Sequence, residues 1–162
     1  MHGTFFCVGD NVRKHSKIYN RLIAEGHSVG NHSYSHKSGW GSDVEKYLDD
    51  VELCSSFVQS DLYRPPYGRL KPLQAKAIRD QYQIVMWDVL SGDFDQNITA
   101  EQCYQNVIQN LKPGSIIVFH DNIKSFVTLK EVLPRVMEYC QYRGLSSKGI
   151  KYNIVKKELE IA

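Results

Sequence analysis

The sequence predicts an α/β fold in which a largely parallel sheet is covered by helices. Short runs of β-branched and aromatic residues alternate with longer amphipathic segments, and parallel neighbouring strands need crossover connections of this kind. The 162 residues can bury a substantial core, so we expect residues 1–162 to form a single domain. A closed eight-unit barrel usually needs about 250 residues, which is more than this chain has.

Turn and capping signals define the individual elements. Asp10 or Asn11 is expected to cap the first helix, and Ser42 with Glu45 has the spacing of a capping box before the second. Pro134 is expected to kink the last helix or to mark its start. The predicted strands lie at 4–8, 27–30, 83–87, 115–119 and 151–155, and the predicted helices lie at about 10–25, 43–60, 72–79, 99–111 and 127–143.

The composition argues against several classes of partner. Twenty basic and eighteen acidic residues give a formal net charge of +2 without a lysine or arginine run, so no nucleic-acid partner is expected. No run approaches the ~18 apolar residues of a membrane helix, so we expect no membrane span. The start of the sequence carries no export signal, which predicts a cytoplasmic location if residue 1 is the native start.

The cysteines are expected to be free thiols. They are far apart and form no Cys-x-x-Cys pair, which argues against a zinc ribbon or a redox motif. Each lies in an apolar context, where a free cysteine packs as a small hydrophobic residue. The residues concerned are Cys7, Cys54, Cys103 and Cys140.

Two histidines follow the second predicted strand in the segment Asn-His-Ser-Tyr-Ser-His at 31–36. Four positions apart, His32 and His36 can direct two imidazole nitrogens at one divalent metal. A catalytic zinc site usually adds a third protein ligand and leaves one position open. Surface histidines can have the same spacing, so the pair alone leaves both interpretations open.

Further polar residues follow other predicted strands. Ligands of parallel α/β folds collect at the carboxyl ends of the strands, so this coincidence predicts one active site. A rigid surface turn at 64–67 and a core histidine at 120 are the alternatives. Besides the histidine pair, the residues concerned are Arg64, Tyr67, Asp88, Asp93 and His120.

Four motifs in a fixed order indicate a family. They are Gly-Asn-His-Ser at 30–33, Arg-Pro-Pro-Tyr-Gly at 64–68, Trp-Asp-x-x-Ser-x-Asp-Phe at 87–94, and an apolar strand ending in His-Asp at 120–121. With these motifs the chain resembles the polysaccharide deacetylases, the NodB-homology domain of carbohydrate esterase family four. The resemblance runs from Thr-Phe-Phe at 4–6 to the last strand. It implies a distorted (β/α) barrel, an acetylated carbohydrate as substrate, and a metal that polarises an N- or O-acetyl carbonyl and activates water.

The resemblance also implies roles for the residues that would bind the metal or lie close to it. By this likeness His32 and His36 would be metal ligands, with Zn²⁺ as the expected metal and Co²⁺ or Ni²⁺ as alternatives. Arg64 would hold the base carboxylate in place. The backbone amide of Tyr67 would help to stabilise the oxyanion.

A second set of roles concerns the leaving group and the acetyl methyl group. By the same likeness His120 would be the acid that protonates the leaving amine or alcohol, and Asp93 would orient it. Phe94 and Val118 would line the pocket for the acetyl methyl group.

The family's first motif, Thr-Phe-Asp-Asp-Gly-Pro, has no counterpart in this sequence. In the family its first aspartate is the base and its second is the third metal ligand. We therefore expect an incomplete barrel without its first βα unit, weak or absent metal binding, and impaired or absent activity. An opened barrel exposes two parallel strand edges, which predicts a homo-oligomer through those edges.

Three explanations of the missing motif stay open. The favoured one is that Met1 is an internal methionine of a longer protein. The second is a short, non-catalytic carbohydrate-binding or regulatory pseudoenzyme. The third is that Asp88, Asp121 or a second copy supplies the missing carboxylate.

Overall fold

The computed structural model describes residues 1–153 and 158–161, which form two compact units. The first unit comprises Met1–Val85 together with the described residues from Ser147 onward, and the second comprises Met86–Ser146. None of the helices in the described residues is long and apolar enough to cross a membrane.

The first unit is built on a parallel sheet of four strands in the order β1-β2-β3-β4. Phe5 pairs with Val29, and Tyr63 pairs with both Asn31 and Ile84. Because strands that follow one another in sequence are parallel neighbours, their carboxyl ends lie at one edge of the sheet. The strands are β1 (Thr4–Cys7), β2 (Ser28–Asn31), β3 (Leu62–Tyr63) and β4 (Gln83–Ile84).

Four helices connect these strands, and the first connection differs from the prediction. The single helix expected at 10–25 is two helices that break at His15, where φ is −131° and ψ is 44°. Val8 rather than Asp10 or Asn11 occupies the N-cap of the first, without a side-chain hydrogen bond. The helices are α1 (Gly9–Lys14), α2 (Ser16–Ala24), α3 (Val44–Ser55) and α4 (Pro72–Ile78).

The cap of α3 also differs from the prediction. Asp43, not Ser42, accepts hydrogen bonds from the backbone nitrogens of Glu45 and Lys46, over 3.0 and 3.3 Å. The Ser42 hydroxyl instead donates to the Ser38 carbonyl over 2.8 Å. Aspartate and serine are equally good N-cap residues. The sequence could therefore predict where α3 starts, but not which of the two adjacent residues caps it.

The core of the first unit lies between α3, α4 and the sheet. Tyr47 of α3 and Tyr63 of β3 are completely buried, and their hydroxyl oxygens are 2.6 Å apart. Val51, Ile78 and Tyr82 complete this cluster. The pair satisfies two hydroxyl groups that would otherwise be buried without partners.

The first unit also contains two antiparallel strands that pair with each other, β7 (Ile150–Asn153) and β8 (Glu158–Ile161). The predicted strand at 151–155 is confirmed as far as Asn153, and residues 154 and 155 lie outside the described residues. The backbone nitrogen of Ile150 donates to the Thr4 hydroxyl over 2.7 Å.

The second unit contains two short parallel strands and two helices. Its core is formed by Val89, Cys103, Val107, Val132 and Val136. The elements are β5 (Val89–Leu90), α5 (Ala100–Ile108), β6 (Ile117–Val118) and α6 (Phe126–Tyr142).

Three features of the second unit bear on the sequence predictions. The strand expected at 83–87 ends at Ile84, and β5, which was not predicted, follows Asp88. Asp88 therefore precedes a strand instead of following one, which corrects the prediction. Helix α6 runs through Pro134 as one element. All four cysteines are free, as expected.

Candidate active site

The histidine pair lies in a tight loop that follows β2 in the first unit. The rings of His32 and His36 meet edge to face, with centroids 4.9 Å apart. Ser33 and His36 have φ angles of 59° and 58°, a left-handed conformation that costs roughly 1–2 kcal/mol for residues other than glycine. Such a loop keeps its shape only if its surroundings hold it.

Asp50 on α3 provides that support. Its buried carboxylate accepts hydrogen bonds from the backbone nitrogens of Tyr34 and Ser35, each over 3.0 Å, and from the Ser35 hydroxyl over 2.6 Å. Asp50 was not among the residues predicted for the site. The available signal was its place on the inner face of α3, three positions after Tyr47 and four before Cys54.

Asn31 holds the same loop from the end of β2. Its side-chain oxygen accepts from the backbone nitrogen of Ser33 over 2.9 Å, and its side-chain nitrogen donates to the Val51 carbonyl over 3.0 Å. Both ends of the turn that separates the two histidines are therefore attached to α3.

The orientation of His32 is set by the end of β3. Its Nδ1 lies 2.6 Å from the carbonyl oxygen of Arg64. A carbonyl can only accept, so the contact requires the proton on Nδ1, and Nε2 of the neutral ring then carries the lone pair that a metal would use.

Arg64 itself is buried beneath this loop. Its Nε donates to the Val85 carbonyl over 3.1 Å, and the guanidinium carbon lies 4.1 Å from the centroid of the Phe6 ring. Burial lowers the pKa of Arg64 to about 10, so the group stays protonated at neutral pH. The contact with Phe6 has no signal in the sequence, because it joins the chain after β3 to β1, and β2 lies between these two strands in the sheet.

Tyr67 approaches the pair from a 3₁₀ turn at Pro66–Gly68. Its φ is 60°, and its exposed ring lies 4.8 Å from the ring of His36, centroid to centroid. The first unit thus brings together four predicted site residues, namely His32, His36, Arg64 and Tyr67.

In the second unit, Asp93 and His120 form a hydrogen-bonded pair. One carboxylate oxygen of the completely buried Asp93 lies 2.8 Å from Nδ1 of His120, and the other accepts from the His120 backbone nitrogen over 2.6 Å. The Ser91 hydroxyl donates to the same carboxylate over 3.0 Å. Because Asp93 follows β5 and His120 follows the parallel strand β6, both lie at the same strand ends.

The two predicted pocket residues lie near this pair. The ring of Phe94, which is exposed, meets the His120 ring edge to face with centroids 5.0 Å apart. Val118 is buried in β6, and its carbonyl oxygen accepts from the backbone nitrogen of Ser91 over 3.2 Å. The second unit thus brings together Asp93, Phe94, Val118 and His120.

Asp88 lies at the other end of the same two strands. Its carboxylate accepts from the backbone nitrogen of Ile116 over 2.6 Å and from the Ser115 hydroxyl over 2.9 Å, before β5 and β6 begin. Asp88 is therefore separated from Asp93 and His120 by the length of the strands. This geometry removes the reason to regard it as a substitute for the missing carboxylate.

The residues fit part of a metal site. Two neighbouring imidazoles are suitable donors for Zn²⁺, and a catalytic zinc site usually has three protein ligands. Within residues 1–153 and 158–161, no group of three or more histidine, cysteine or carboxylate side chains is placed to hold a metal ion. His32 and His36 would supply two of the ligands.

Comparison with known proteins shows which family the chain belongs to. A family model described as polysaccharide deacetylase matches residues 1–85, which include the histidine pair and the Arg-Pro-Pro-Tyr motif. The chain belongs to the polysaccharide deacetylase family. A relative in this family, the peptidoglycan-N-acetylglucosamine deacetylase of Bacillus cereus, is 32% identical over 124 residues, which cover 72% of the chain and 45% of that protein. The chain thus matches about half the length of this curated relative.

Solved structures confirm the predicted α/β fold of the chain. The Xyl-CE4 domain of a multidomain xylanase from the hindgut metagenome of Trinervitermes trinervoides superposes with a TM-score of 0.81 at 24% identity, covering 90% of this chain and 72% of that one. A CE4 family pseudoenzyme from Bacillus anthracis gives a TM-score of 0.76 at 21% identity, with coverage of 97% and 55%. At these identities the likeness concerns the fold alone.

Proposed function

We propose that this chain is part of a metal-dependent deacetylase that hydrolyses an N- or O-acetyl group of an acetylated polysaccharide or amino sugar. The observation that carries the proposal is the contact between His32 and His36, on a loop held by Asp50. A loop with two left-handed residues is costly to maintain, and its support positions two metal-binding side chains side by side.

His32 and His36 would hold the metal, with Zn²⁺ preferred over Co²⁺ and Ni²⁺. When bound, the metal would supply positive charge at the acetyl carbonyl and lower the pKa of a coordinated water to about 7. The backbone N–H of Tyr67 would donate to the developing oxyanion. The buried, protonated guanidinium of Arg64 would hold the base carboxylate.

His120 would protonate the leaving amine or alcohol. Its contact with Asp93 supports this role because a carboxylate at Nδ1 fixes the orientation of the ring and thereby of Nε2, the atom that would donate the proton. Phe94 and Val118 would border the acetyl methyl group. The base and the third metal ligand would come from a Thr-Phe-Asp-Asp-Gly segment upstream of residue 1 in a longer protein, so residues 1–162 alone would bind metal weakly and turn over slowly or not at all.

A non-catalytic carbohydrate-binding or regulatory protein is the second candidate. It is favoured by the finding that no group of three or more histidine, cysteine or carboxylate side chains in the described part of the chain is placed to hold a metal ion. It predicts carbohydrate binding without acetate release.

The test measures acetate release from acetylated chito-oligosaccharide and from acetylxylan, with and without Zn²⁺ or Co²⁺. Two proteins are compared, residues 1–162 and the same chain extended upstream in frame with its genomic coding sequence. We expect release from the extended protein only, with losses of at least 100-fold in H36A and H120A. H15A is the matched control, because His15 is an exposed histidine that belongs neither to the His32–His36 pair nor to the Asp93–His120 pair. Carbohydrate binding without release by either protein would support the second candidate instead.

We also propose that residues 1–162 self-associate through β1, which is an edge strand of the first unit's sheet. Sedimentation equilibrium is expected to give a mass above that of the monomer. If the protein stays monomeric at all concentrations up to about 100 µM, the dissociation constant of a dimer would be weaker than that value and the proposal would be contradicted.

A further inference from the structure

Trp40 is an exposed aromatic residue on the turn that leads from the histidine loop to α3. Its surface is 62% exposed, whereas tryptophan is highly buried on average. A single exposed apolar residue needs no explanation by itself. What distinguishes Trp40 is the number of contacts that hold it in place.

The indole ring is held at its Nε1 and on one face. Its Nε1 donates to the Leu70 carbonyl over 3.3 Å. The guanidinium carbon of Arg69 lies 5.0 Å from the ring centroid, within the range of a cation–π contact. Both partners come from the segment that follows the Arg-Pro-Pro-Tyr motif.

The backbone of the turn is fixed to the same segment. The completely buried Gln74 donates from its side-chain nitrogen to the Gly39 carbonyl over 3.0 Å, and its side-chain oxygen accepts from the Lys71 backbone nitrogen over 2.9 Å. The Lys71 ammonium donates to the Ser42 carbonyl over 2.6 Å. Gly39 lies so close that a Cβ there would collide with the Arg69 carbonyl oxygen. The ring is therefore ordered before any ligand arrives, which removes much of the entropic cost of binding.

This segment also reaches the histidine pair. Tyr67, two residues before Arg69, lies with its ring 4.8 Å from the ring of His36, and its surface is as exposed as that of Trp40. One rigid stretch of chain thus connects the exposed indole to the candidate metal ligands within the first unit.

We propose that Trp40 is a stacking platform for one pyranose ring of the acetylated polysaccharide, a binding subsite beside the histidine pair. A pyranose ring has an apolar face of C–H groups, and the negative face of an indole attracts the positive ends of those bonds. The guanidinium of Arg69 lies over one face of the indole, so the sugar would stack on the opposite face. The proposal rests on the proposed function for the identity of the ligand.

The test is calorimetric titration of residues 1–162 with N-acetylchitotetraose and with acetylated xylotetraose. We expect W40A to weaken binding of at least one of them about tenfold, equivalent to about 1.4 kcal/mol, and W40F to weaken it less. L73A is the matched control, because Leu73 is an equally exposed apolar residue of the first unit without these anchors, and its affinity is expected to stay within twofold of wild type. Circular dichroism checks that each variant is folded, and W40L replaces W40A if that variant does not fold.

Several outcomes would overturn the platform. These are a W40A or W40L affinity equal to wild type, no oligosaccharide binding by the wild-type chain, or self-association that depends on Trp40 in place of sugar binding. H36A separates this proposal from the proposed function. Sugar binding that depends on Trp40 and persists in H36A, without acetate release from any form of the protein, would support the stacking platform and contradict the proposed deacetylase activity.

Discussion

The carboxylate of Asp93 contacts both the backbone nitrogen and Nδ1 of His120, over 2.6 and 2.8 Å. The aspartate is completely buried, whereas 37% of the His120 side chain is exposed. One carboxylate therefore fixes the chain after β6 and orients an imidazole that solvent or substrate can reach. This arrangement suits proton transfer, because a general acid must be held in place and still be accessible.

Replacing Asp93 by alanine is expected to lower the free energy of unfolding by about 3 kcal/mol. The variant leaves three donors without their charged acceptor, and one of them belongs to the buried Ser91. Urea denaturation measures the change. D95A is the matched control, since Asp95 lies in the same loop but accepts from Asn97 at an exposed position, and its loss should stay below about 1 kcal/mol. Equal stability of D93A and D95A would contradict the structural role of the pair.

Replacing Asp50 by asparagine is expected to weaken metal binding at the histidine pair about tenfold, the usual effect of removing a group that positions ligands. The two backbone nitrogens of Tyr34 and Ser35 share one carboxylate oxygen, so the amide nitrogen of asparagine would replace the other oxygen and remove the acceptor of the Ser35 hydroxyl. The remaining, uncharged oxygen would accept more weakly from the two backbone nitrogens. Titration with Co²⁺, followed by paramagnetic broadening of the histidine NMR signals, reports affinity even when it is low. D49N changes the adjacent exposed carboxylate and should bind like wild type. Unchanged Co²⁺ affinity in D50N would show that the loop does not depend on this carboxylate.

The sequence predicted the kinds of element and most of their positions, because apolar periodicity and caps are local signals. It missed β3, β5 and β8, and β3 (Leu62–Tyr63) and β5 (Val89–Leu90) are only two residues long. The omission of β5 placed Asp88 at the wrong strand end. It also missed the break at His15, which involves neither glycine nor proline. Asp50 was missed for a different reason, because its role depends on contacts between α3 and a loop sixteen and fifteen residues earlier.

Raising the pH from 8 to 9.5 is expected to destabilise the protein through its buried thiols. Burial raises the pKa of Cys54 and of Cys103 to about 11, from 9.0 in an exposed thiol. Since the folded pKa lies above the unfolded one, the stabilising contribution is complete below pH 9 and is lost as the pH rises towards 11. Each thiol should account for about 0.8 kcal/mol between pH 8 and 9.5.

The control for this pH effect is C103A. The cavity in this variant lowers stability at every pH, but its loss between pH 8 and 9.5 should be smaller than that of wild type by about 0.8 kcal/mol. The measurement is urea denaturation at both pH values. An equal pH-dependent loss in the two proteins would mean that the Cys103 thiol ionises as readily in the folded chain as in the unfolded one.

Asp88 is expected to stabilise the amino ends of β5 and β6 in a pH-dependent way. Asp88 is exposed, and although desolvation of its carboxylate raises the pKa, hydrogen bonds from the Ile116 backbone nitrogen and the Ser115 hydroxyl bring the pKa below its usual 3.8. Because the pKa of Asp88 is lower in the folded chain than in the unfolded one, its contribution to the free energy of unfolding is fully present above pH 3.8. This contribution is lost as the pH falls through the pKa of the folded state. D88N should therefore cost about 1 kcal/mol at pH 7, and the difference from wild type should shrink below pH 3.8. D80N, an exposed control, should match wild type at both pH values, and a D88N deficit that stays constant with pH would show that the carboxylate charge is not what the two donors require.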